Sequence, residues 1–273
     1  MNIGEPEISI ITPCYNHGHL VEEAVDSVLY YKWKMPIEYI IVNDGSSDAF
    51  TKNKLDELKA RGITVIDQPN AGPANARNTA ITAAKGKYIL PLDADNKLRP
   101  KVFEKAFDLM EEDDSLDVVY PEAWSFGSSN FHWKPGNVDI VKLMNSNYID
   151  TCSLIRKHSL VEVGCYDDKI PFYGNEDWEL WLNMFFTGKK LKYLEEIGFE
   201  YRVVDHSLSR RESTPNQEKI NEYIAEKYAA QYAKYYRELF REKIVLENLK
   251  SFVHDHKLKS IAKIILNKPL IKY

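Results

Sequence analysis

Short apolar runs alternate with longer segments of helical periodicity over the first half of the chain. The short runs predict β-strands at residues 8–11, 39–42, 63–66, 88–92 and 117–120. Apolar positions three and four apart predict helices over residues 19–29, around Leu55 and Leu58, and over residues 74–84 and 102–110. This alternation is typical of an α/β fold with a Rossmann-like, doubly wound, mostly parallel sheet.

The remainder of the chain is less regular. Its pattern predicts a hairpin over residues 124–133, a strand within 149–155, a helix beginning near Glu176, and two closing strands at 190–194 and 199–204. Past Pro215 the sequence is rich in Lys, Glu, Tyr and Leu and poor in helix breakers. We therefore predict one domain over residues 1–214 and a C-terminal helical extension over residues 215–273.

Polar clusters follow three of the predicted strands, at residues 12–16, 43–48 and 93–96. Ligands of doubly wound sheets bind beyond the carboxyl ends of the strands, so we expect these clusters to meet at one site. Asp93 and Asp95 repel each other unless a cation or bound donors offset their charge. They predict a divalent cation, Mg²⁺ or Mn²⁺, held by oxygen ligands, or else an ordinary turn at the end of a strand.

Composition narrows the class of partner. The chain has 273 residues and a formal net charge of −5, so it carries no overall basic field that would favour nucleic acid. Its three cysteines are far apart in sequence and show no zinc-binding spacing. With no leader-like N-terminus and no apolar run near the roughly 20 residues that span a bilayer, we expect a cytoplasmic protein.

Five short motifs occur in an order that resembles glycosyltransferase family 2. They are SIITPCYN (residues 9–16), IVNDGSSD (41–48), NAGPANARN (70–78), LDAD (92–95) and EDW (176–178). The resemblance covers roughly residues 7–210. It implies a GT-A fold and transfer of a sugar, with inversion, from a nucleotide donor that is usually UDP-linked.

The resemblance also implies site residues in the first strands. Thr12 and Asp44 would hold the uracil and ribose, although Asp44-Gly45 is equally a tight-turn dipeptide. Asp48 is placed to cap the following helix. Arg77 would reach the nucleotide or its phosphates, and the alternative for Arg77 is a surface salt bridge.

The two aspartates of LDAD become the metal-binding DxD motif in this reading. Asp95 would contact the cation that carries the diphosphate, and Asp93 would contact the ribose, the metal or a metal-bound water. Some relatives use a histidine near His206 as a further metal or diphosphate ligand. In this chain Val204 and Asp205 separate His206 from the Tyr-Arg pair, which departs from the usual spacing.

Asp177 is the candidate general base, because an inverting transfer needs one carboxylate to take the proton of the acceptor hydroxyl. Glu176 is adjacent and is a second candidate. The alternative is that both acids only complement the dipole of the helix they begin. Trp178 and Trp181 are three residues apart on that helix, where they either pack in the core or line an acceptor pocket.

The leading hypothesis is a metal-dependent transferase of a hexosyl or N-acetylhexosaminyl group, acting in polysaccharide or glycolipid assembly. The acceptor would be a saccharide or a lipid-linked molecule. The alternatives are an inactive nucleotide-sugar-binding scaffold and a nucleotidylyltransferase. Lysines interleaved with apolar residues over 250–272 predict either a helix that packs on this protein or on a second copy of it, or a peripheral contact with an anionic membrane.

Overall fold

The computed structural model describes residues 4–204 and 214–255. These residues form two compact units, one that extends to Ile224 and one that begins at Ala225. The five predicted strands and four predicted helices of the first half are all present, with shifts of a few residues at their ends.

The first unit is built on one sheet. Within the described residues its strands are β1 (Ile8–Cys14), β2 (Ile37–Asp44), β3 (Thr64–Gln68), β4 (Tyr88–Pro91), β5 (Lys97–Leu98), β6 (Val118–Gly127), β7 (His132–Trp133), β8 (Leu154–Arg156) and β9 (Leu191–Val203). They lie in the order β3-β2-β1-β4-β8-β6-β9-β5, and β7 pairs with β6.

The sheet is mixed, but most of its paired residues lie in parallel pairs. Strands β3, β2, β1 and β4 run parallel to one another, and β6 runs parallel to β9 over most of its length. The short strands β5, β7 and β8 pair antiparallel with their neighbours. The parallel half therefore brings the ends of β1, β2 and β4 to one edge, as the sequence predicts.

Helices cover the sheet. Those of the first unit are α1 (Val21–Leu29), α2 (Ala49–Ala60), α3 (Pro73–Ala83), α4 (Pro100–Glu112), α5 (Ile140–Asn145), α6 (Lys157–Glu162) and α7 (Glu176–Phe186). Ile8 and Ile10 of β1 share a core cluster with apolar residues of α1, α2 and α4. Helix α3 packs on β1 and β2 through small residues such as Ala76 and Ala80, which allow a close approach.

Two local predictions are wrong in an informative way. Residues 149–155 were expected to be a strand, but only Leu154–Arg156 pairs, and the residues before it are irregular. The two closing strands are one strand, β9, because register shifts opposite Pro121 and Glu122 allow pairing with β6 to continue. The predicted hairpin is confirmed, since β7 pairs antiparallel with β6 between Trp133 and Ala123.

The C-terminal part is helical, as predicted. A short 3-10 helix, Thr214–Asn216, leads into α8 (Gln217–Lys227), and α9 (Ala229–Asp255) follows. None of the described helices is both long enough and apolar enough to cross a bilayer. The domain boundary at residue 214 stays a prediction, and so does the role of the basic tail, most of which lies outside the described residues.

Candidate active site

One buried arginine joins three separate segments at the carboxyl edge of the sheet. Arg77 on α3 donates from one terminal nitrogen to Asp93 Oδ1 at 2.7 Å and from the other to Glu176 Oε1 at 2.6 Å. The residue is only 4% exposed, so the alternative of a surface salt bridge is wrong. Burial alone would lower the pKa of Arg77, but the charges of Asp93 and Glu176 outweigh it and raise that pKa, which keeps the guanidinium charged.

The partners of Arg77 are held from their other sides. Glu176 begins α7, and its second oxygen, Oε2, accepts the backbone N–H of Gly174 at 2.8 Å. The guanidinium lies over the Tyr166 ring, 5.3 Å from its centroid, a distance within the cation–π range. Because Glu176 is buried and paired with the charged Arg77 guanidinium, the geometry favours a structural role for Glu176 over its predicted role as base, which stays a prediction.

The DxD segment is a tight turn as well as a cluster of acids. The two interpretations of Asp93 and Asp95, a cation site and an ordinary turn, are therefore compatible. The N–H of Asn96 donates to the Asp93 carbonyl at 3.1 Å, and Asn96 Oδ1 accepts the Arg202 N–H of β9 at 2.9 Å. Arg202 also donates from Nε to the backbone carbonyl of Asp95 at 2.9 Å. These bonds fix the backbone of the turn and leave the Asp95 carboxylate without a hydrogen-bond donor from any other described residue.

Negative charge accumulates beside this turn. Burial, and then the neighbouring Asp93 carboxylate, raise the pKa of Asp95 to about 6. A cation or hydrogen-bond donor supplied by a ligand would stabilise the charged form of such a carboxyl group.

Asp177 stands at the first turn of α7, beside Glu176. Its Oδ2 accepts Asn147 Nδ2 at 2.9 Å, and its Oδ1 accepts the Trp178 N–H at 2.9 Å. Burial, followed by the charges of Glu176 and Asp150, raises the pKa of Asp177 well above its ordinary value. A half-buried carboxylate with a raised pKa can take a proton more readily than an ordinary aspartate.

The two tryptophans of α7 are core residues. Trp178 and Trp181 are 1% and 0% exposed, so neither lines an acceptor pocket. Their indole N–H groups donate to the carbonyls of Leu143 at 2.6 Å and Ile149 at 2.9 Å. Core packing, one of the two roles that the sequence leaves open, is confirmed, and the two bonds also anchor α5 and the irregular segment around Ile149 to α7.

Three residues of this site are not indicated by the sequence motifs: Asn147, Asp150 and Tyr201. Four half-buried carboxylates lie near the Tyr201 side chain and, after burial, raise the pKa of its hydroxyl: Asp150, Asp93, Asp95 and Asp177. Asp150 is itself affected, since burial and then Asp93 raise its pKa to about 7. The site therefore contains one more carboxylate than the motifs indicate.

The available signal for Asp150 was weak. It begins a run of residues that reads as a strand, and an aspartate at a strand boundary is an ordinary turn residue. Only the failure of residues 149–153 to pair, which depends on tertiary contacts such as the Trp181 bond, brings Asp150 to the acid cluster.

Thr12 and Asp44 lie at the predicted strand ends but make internal bonds. Thr12 is fully buried, and its hydroxyl donates to the Leu92 carbonyl at 2.8 Å and lies 2.8 Å from the Tyr39 hydroxyl. Asp44 accepts the backbone N–H groups of Ala71 and Gly72, each at 2.9 Å. Both residues thus tie strand ends to neighbouring segments, and their roles as nucleotide ligands stay predictions.

The loop held by Asp44 has no room for larger residues. Gly72 has φ +87°, and a Cβ there would lie 2.4 Å from the Tyr173 ring. Gly45 has φ +71°, and a Cβ there would lie 2.6 Å from the Asn70 backbone nitrogen. Asp48 caps α2 as predicted, accepting the Thr51 N–H at 2.7 Å.

A cation would find oxygen ligands here, though not a complete cage. Across residues 4–204 and 214–255, no three His, Cys, Asp or Glu side chains are arranged to hold a metal ion without other ligands. The Asp95 carboxylate, with no donor and a raised pKa, fits a cation that keeps several ligand positions for water or substrate. The predicted ligand His206 lies outside the described residues.

The buried arginine gives a first prediction, for stability. Replacing Arg77 with Met leaves Asp93 and Glu176 without their shared cation, so the free energy of unfolding should fall by about 3–5 kcal/mol. Lys105→Met removes an exposed ion pair with Glu196 and should cost about 0–1 kcal/mol. Urea denaturation of both variants tests this, and similar small losses in the two would contradict the central role of Arg77.

The fourth aspartate gives a second prediction, for pH dependence. A carboxyl whose pKa rises from about 4 in the unfolded chain to about 7 in the fold costs stability as pH increases between those values. Asp150→Asn should therefore raise the free energy of unfolding at pH 8 by on the order of 1 kcal/mol or more, seen as a higher melting temperature, and change it little at pH 4. Equal effects at both pH values would argue against the raised pKa.

Comparison with known proteins agrees with this architecture. The family model described as glycosyl transferase family 2 matches residues 9–165, more than half of the chain. YibD, an uncharacterized glycosyltransferase of Escherichia coli K12, is 28% identical over 224 residues, which are 75% of this chain and 63% of YibD. The chain thus spans less than two thirds of that relative.

Solved glycosyltransferases share the fold. S. aureus TarS in complex with UDP-GlcNAc has a TM-score of 0.60 and 17% identity, with 74% of this chain and 60% of TarS covered. The mannosyltransferase PcManGT from Pyrobaculum calidifontis, in complex with GDP-Man and Mn²⁺, has a TM-score of 0.58 and 16% identity, with 77% and 60% covered. These likenesses confirm the predicted GT-A fold, and the family match shows that the chain belongs to glycosyl transferase family 2.

Proposed function

We propose that this protein transfers a sugar, with inversion, from a UDP-sugar to a hydroxyl group of a saccharide or lipid-linked acceptor. The observation that carries the proposal is the bridge made by Arg77, which holds the DxD turn and the first turn of α7 together. Asp93 and Asp95 would thereby face the donor diphosphate, while Asp177 would face the acceptor.

The donor class is supported by the neighbours. TarS structures contain UDP or UDP-GlcNAc, and the PcManGT structure contains GDP-Man and Mn²⁺. We choose UDP because the resemblance at residues 9–16 and 41–48 implies a uridine site.

In the proposed reaction, Asp177 accepts the proton of the acceptor hydroxyl as its oxygen bonds to the anomeric carbon. The bond from that carbon to the diphosphate oxygen breaks, and its electron pair leaves with the UDP. A single displacement inverts the anomeric centre. Asn147 would orient Asp177 through its 2.9 Å bond to Oδ2, and each carboxylate oxygen, having accepted one N–H, would keep a lone pair for the proton.

A divalent cation, Mn²⁺ or Mg²⁺, held by Asp95 and Asp93 would neutralise charge on the departing diphosphate. Asp93 would contribute only one oxygen, because its Oδ1 accepts Arg77. The DxD turn would be rigid before substrate arrives, since Arg202 and Asn96 already fix its backbone.

Two other functions are weaker. A nucleotidylyltransferase is expected to have a Gly-rich loop with a basic residue after the first strand, and residues 12–16 read Thr-Pro-Cys-Tyr-Asn. An inactive nucleotide-sugar-binding scaffold would have no need of Asp177 with a raised pKa. The inactive scaffold would bind UDP-sugar without releasing UDP, so turnover separates it from the transferase.

Ligand binding is the direct test of the donor class. UDP with Mn²⁺ should raise the melting temperature, with about 2.7 kcal/mol of stabilisation at 100 times the dissociation constant. Asp95→Asn should remove the metal dependence, because it removes the charge expected to hold the cation. A larger shift with ADP than with UDP, or no effect of Mn²⁺ on the wild type, would refute the assignment.

Turnover tests the role of Asp177. Asp177→Asn should lower UDP release from a UDP-sugar by about 10²–10⁴-fold, because it removes the base, while the affinity for UDP stays unchanged. Glu176→Gln is the comparison variant, and it should lose stability through its weakened bond to Arg77. Wild-type rates in Asp177→Asn would show that another group takes the proton.

A further inference from the structure

We propose that Asp150 accepts hydrogen bonds from hydroxyl groups of the transferred sugar and so helps to select the donor. This inference rests on the proposed function and deepens it. Asp150 lies outside all five motifs, and its place follows from the contacts of its neighbours.

The segment that carries Asp150 is attached to the site at both ends. On one side, Asn147 donates to Asp177 at 2.9 Å. On the other, the hydroxyl groups of Thr151 and Tyr166 are 2.7 Å apart, and the Tyr166 ring lies against the Arg77 guanidinium. Asp150 therefore stands between the candidate base and the arginine bridge.

The carboxylate of Asp150 has capacity left for a ligand. Its Oδ1 accepts the Cys152 N–H at 2.8 Å, which fixes the orientation of the group. Its Oδ2 has no hydrogen-bond donor among the residues that the structure describes. This oxygen is not one of the buried atoms that lack a partner, so it is accessible from the solvent and can accept a hydroxyl group of a ligand.

The surroundings of Asp150 favour a neutral, hydroxyl-rich ligand over another anion. Its charge interactions are unfavourable with Asp93 and Asp95 and favourable with Arg77, whose two terminal nitrogens already bind Asp93 and Glu176. Asp150 also adds to the negative charge at Asp177. Asp150 thus interacts with both the DxD pair and the candidate base.

The reaction requires the transferred sugar to lie between the DxD turn and Asp177. Its anomeric carbon is bonded to a diphosphate oxygen, which is held at the DxD turn, and it is attacked by a hydroxyl that contacts Asp177. The hydroxyl groups of the ring therefore come within reach of Asp150, and a carboxylate oxygen accepts such hydrogen bonds strongly.

The test measures, for variants of Asp150, turnover of a UDP-sugar and, separately, the affinity for UDP alone. With Mn²⁺ present, Asp150→Ala should lower kcat/KM for UDP release from UDP-N-acetylglucosamine or UDP-glucose, whichever the wild type uses, by about 10- to 100-fold. Its affinity for UDP, measured by calorimetry with Mn²⁺, should stay within about threefold of wild type, since UDP carries no transferred sugar. Asp150→Asn, which keeps an acceptor oxygen and the Cys152 bond, should lose less.

Asp113→Asn is the matched control, because Asp113 accepts the N–H two residues ahead in an exposed turn, as Asp150 does in the site. An equal loss of affinity for UDP and for UDP-sugar in Asp150→Ala would make Asp150 a metal ligand and overturn the inference. A fall in kcat with unchanged KM and a shifted pH profile would make it a positioning residue for Asp177, and unchanged kinetics would exclude it. Wild-type protein that binds no UDP would refute the proposed function instead.

Discussion

The candidate site depends on a single positive charge enclosed by the protein. Arg77 is bonded to Asp93 and Glu176, which are 16 and 99 residues away in sequence. Burying a guanidinium costs free energy, and its two well-placed carboxylate partners offset that cost. Through these two bonds, Arg77 links the turn after β4 to the start of α7. This link sets the separation between the DxD turn and Asp177.

The small residues around Arg77 are part of the same constraint. Ala76 and Ala80 are buried on α3, so the helix lies close to β1 and β2 and carries the guanidinium to the sheet edge. The loop before α3 is fixed by Asp44 through the N–H groups of Ala71 and Gly72. Asp44 thus contributes to the site at least by holding the helix that positions Arg77.

The sequence predicts the parallel half of the sheet well because each strand and helix there has a clear local pattern of apolar and polar residues. Apolar runs give the strands, and the polar residues after them give the site edge. The same local logic fails at residues 149–153, whose apolar character suggests a strand. There the Trp181 indole N–H donates to the Ile149 carbonyl. Residues 149–153 therefore lie against α7 and do not extend β8 toward its N-terminal side. A contact between residues 32 apart decides the outcome, and no local pattern contains it.

The same reasoning explains which site residues the sequence could predict. Asp93, Asp95 and Asp177 lie in motifs directly after a strand or at the start of a helix, where their position carries meaning. Arg77 could be placed on its helix, but its burial depends on partners from two other segments. Asp150 depends entirely on the irregular segment, so only the fold reveals it.

Among the residues that the structure describes, the site holds more negative charge than its cations balance. Arg77 is shared between two acids, and Arg202 is directed to a backbone carbonyl of the DxD turn and to Glu23. Burial first, and then the neighbouring carboxylates, raise the pKa values of Asp95, Asp150 and Asp177. A ligand that brings a cation to the DxD turn and hydroxyl donors to Asp150 would reduce the repulsion among the carboxylates at both places. Repulsion among the acids in the free protein is then a source of selectivity, because an anion without a cation would increase it.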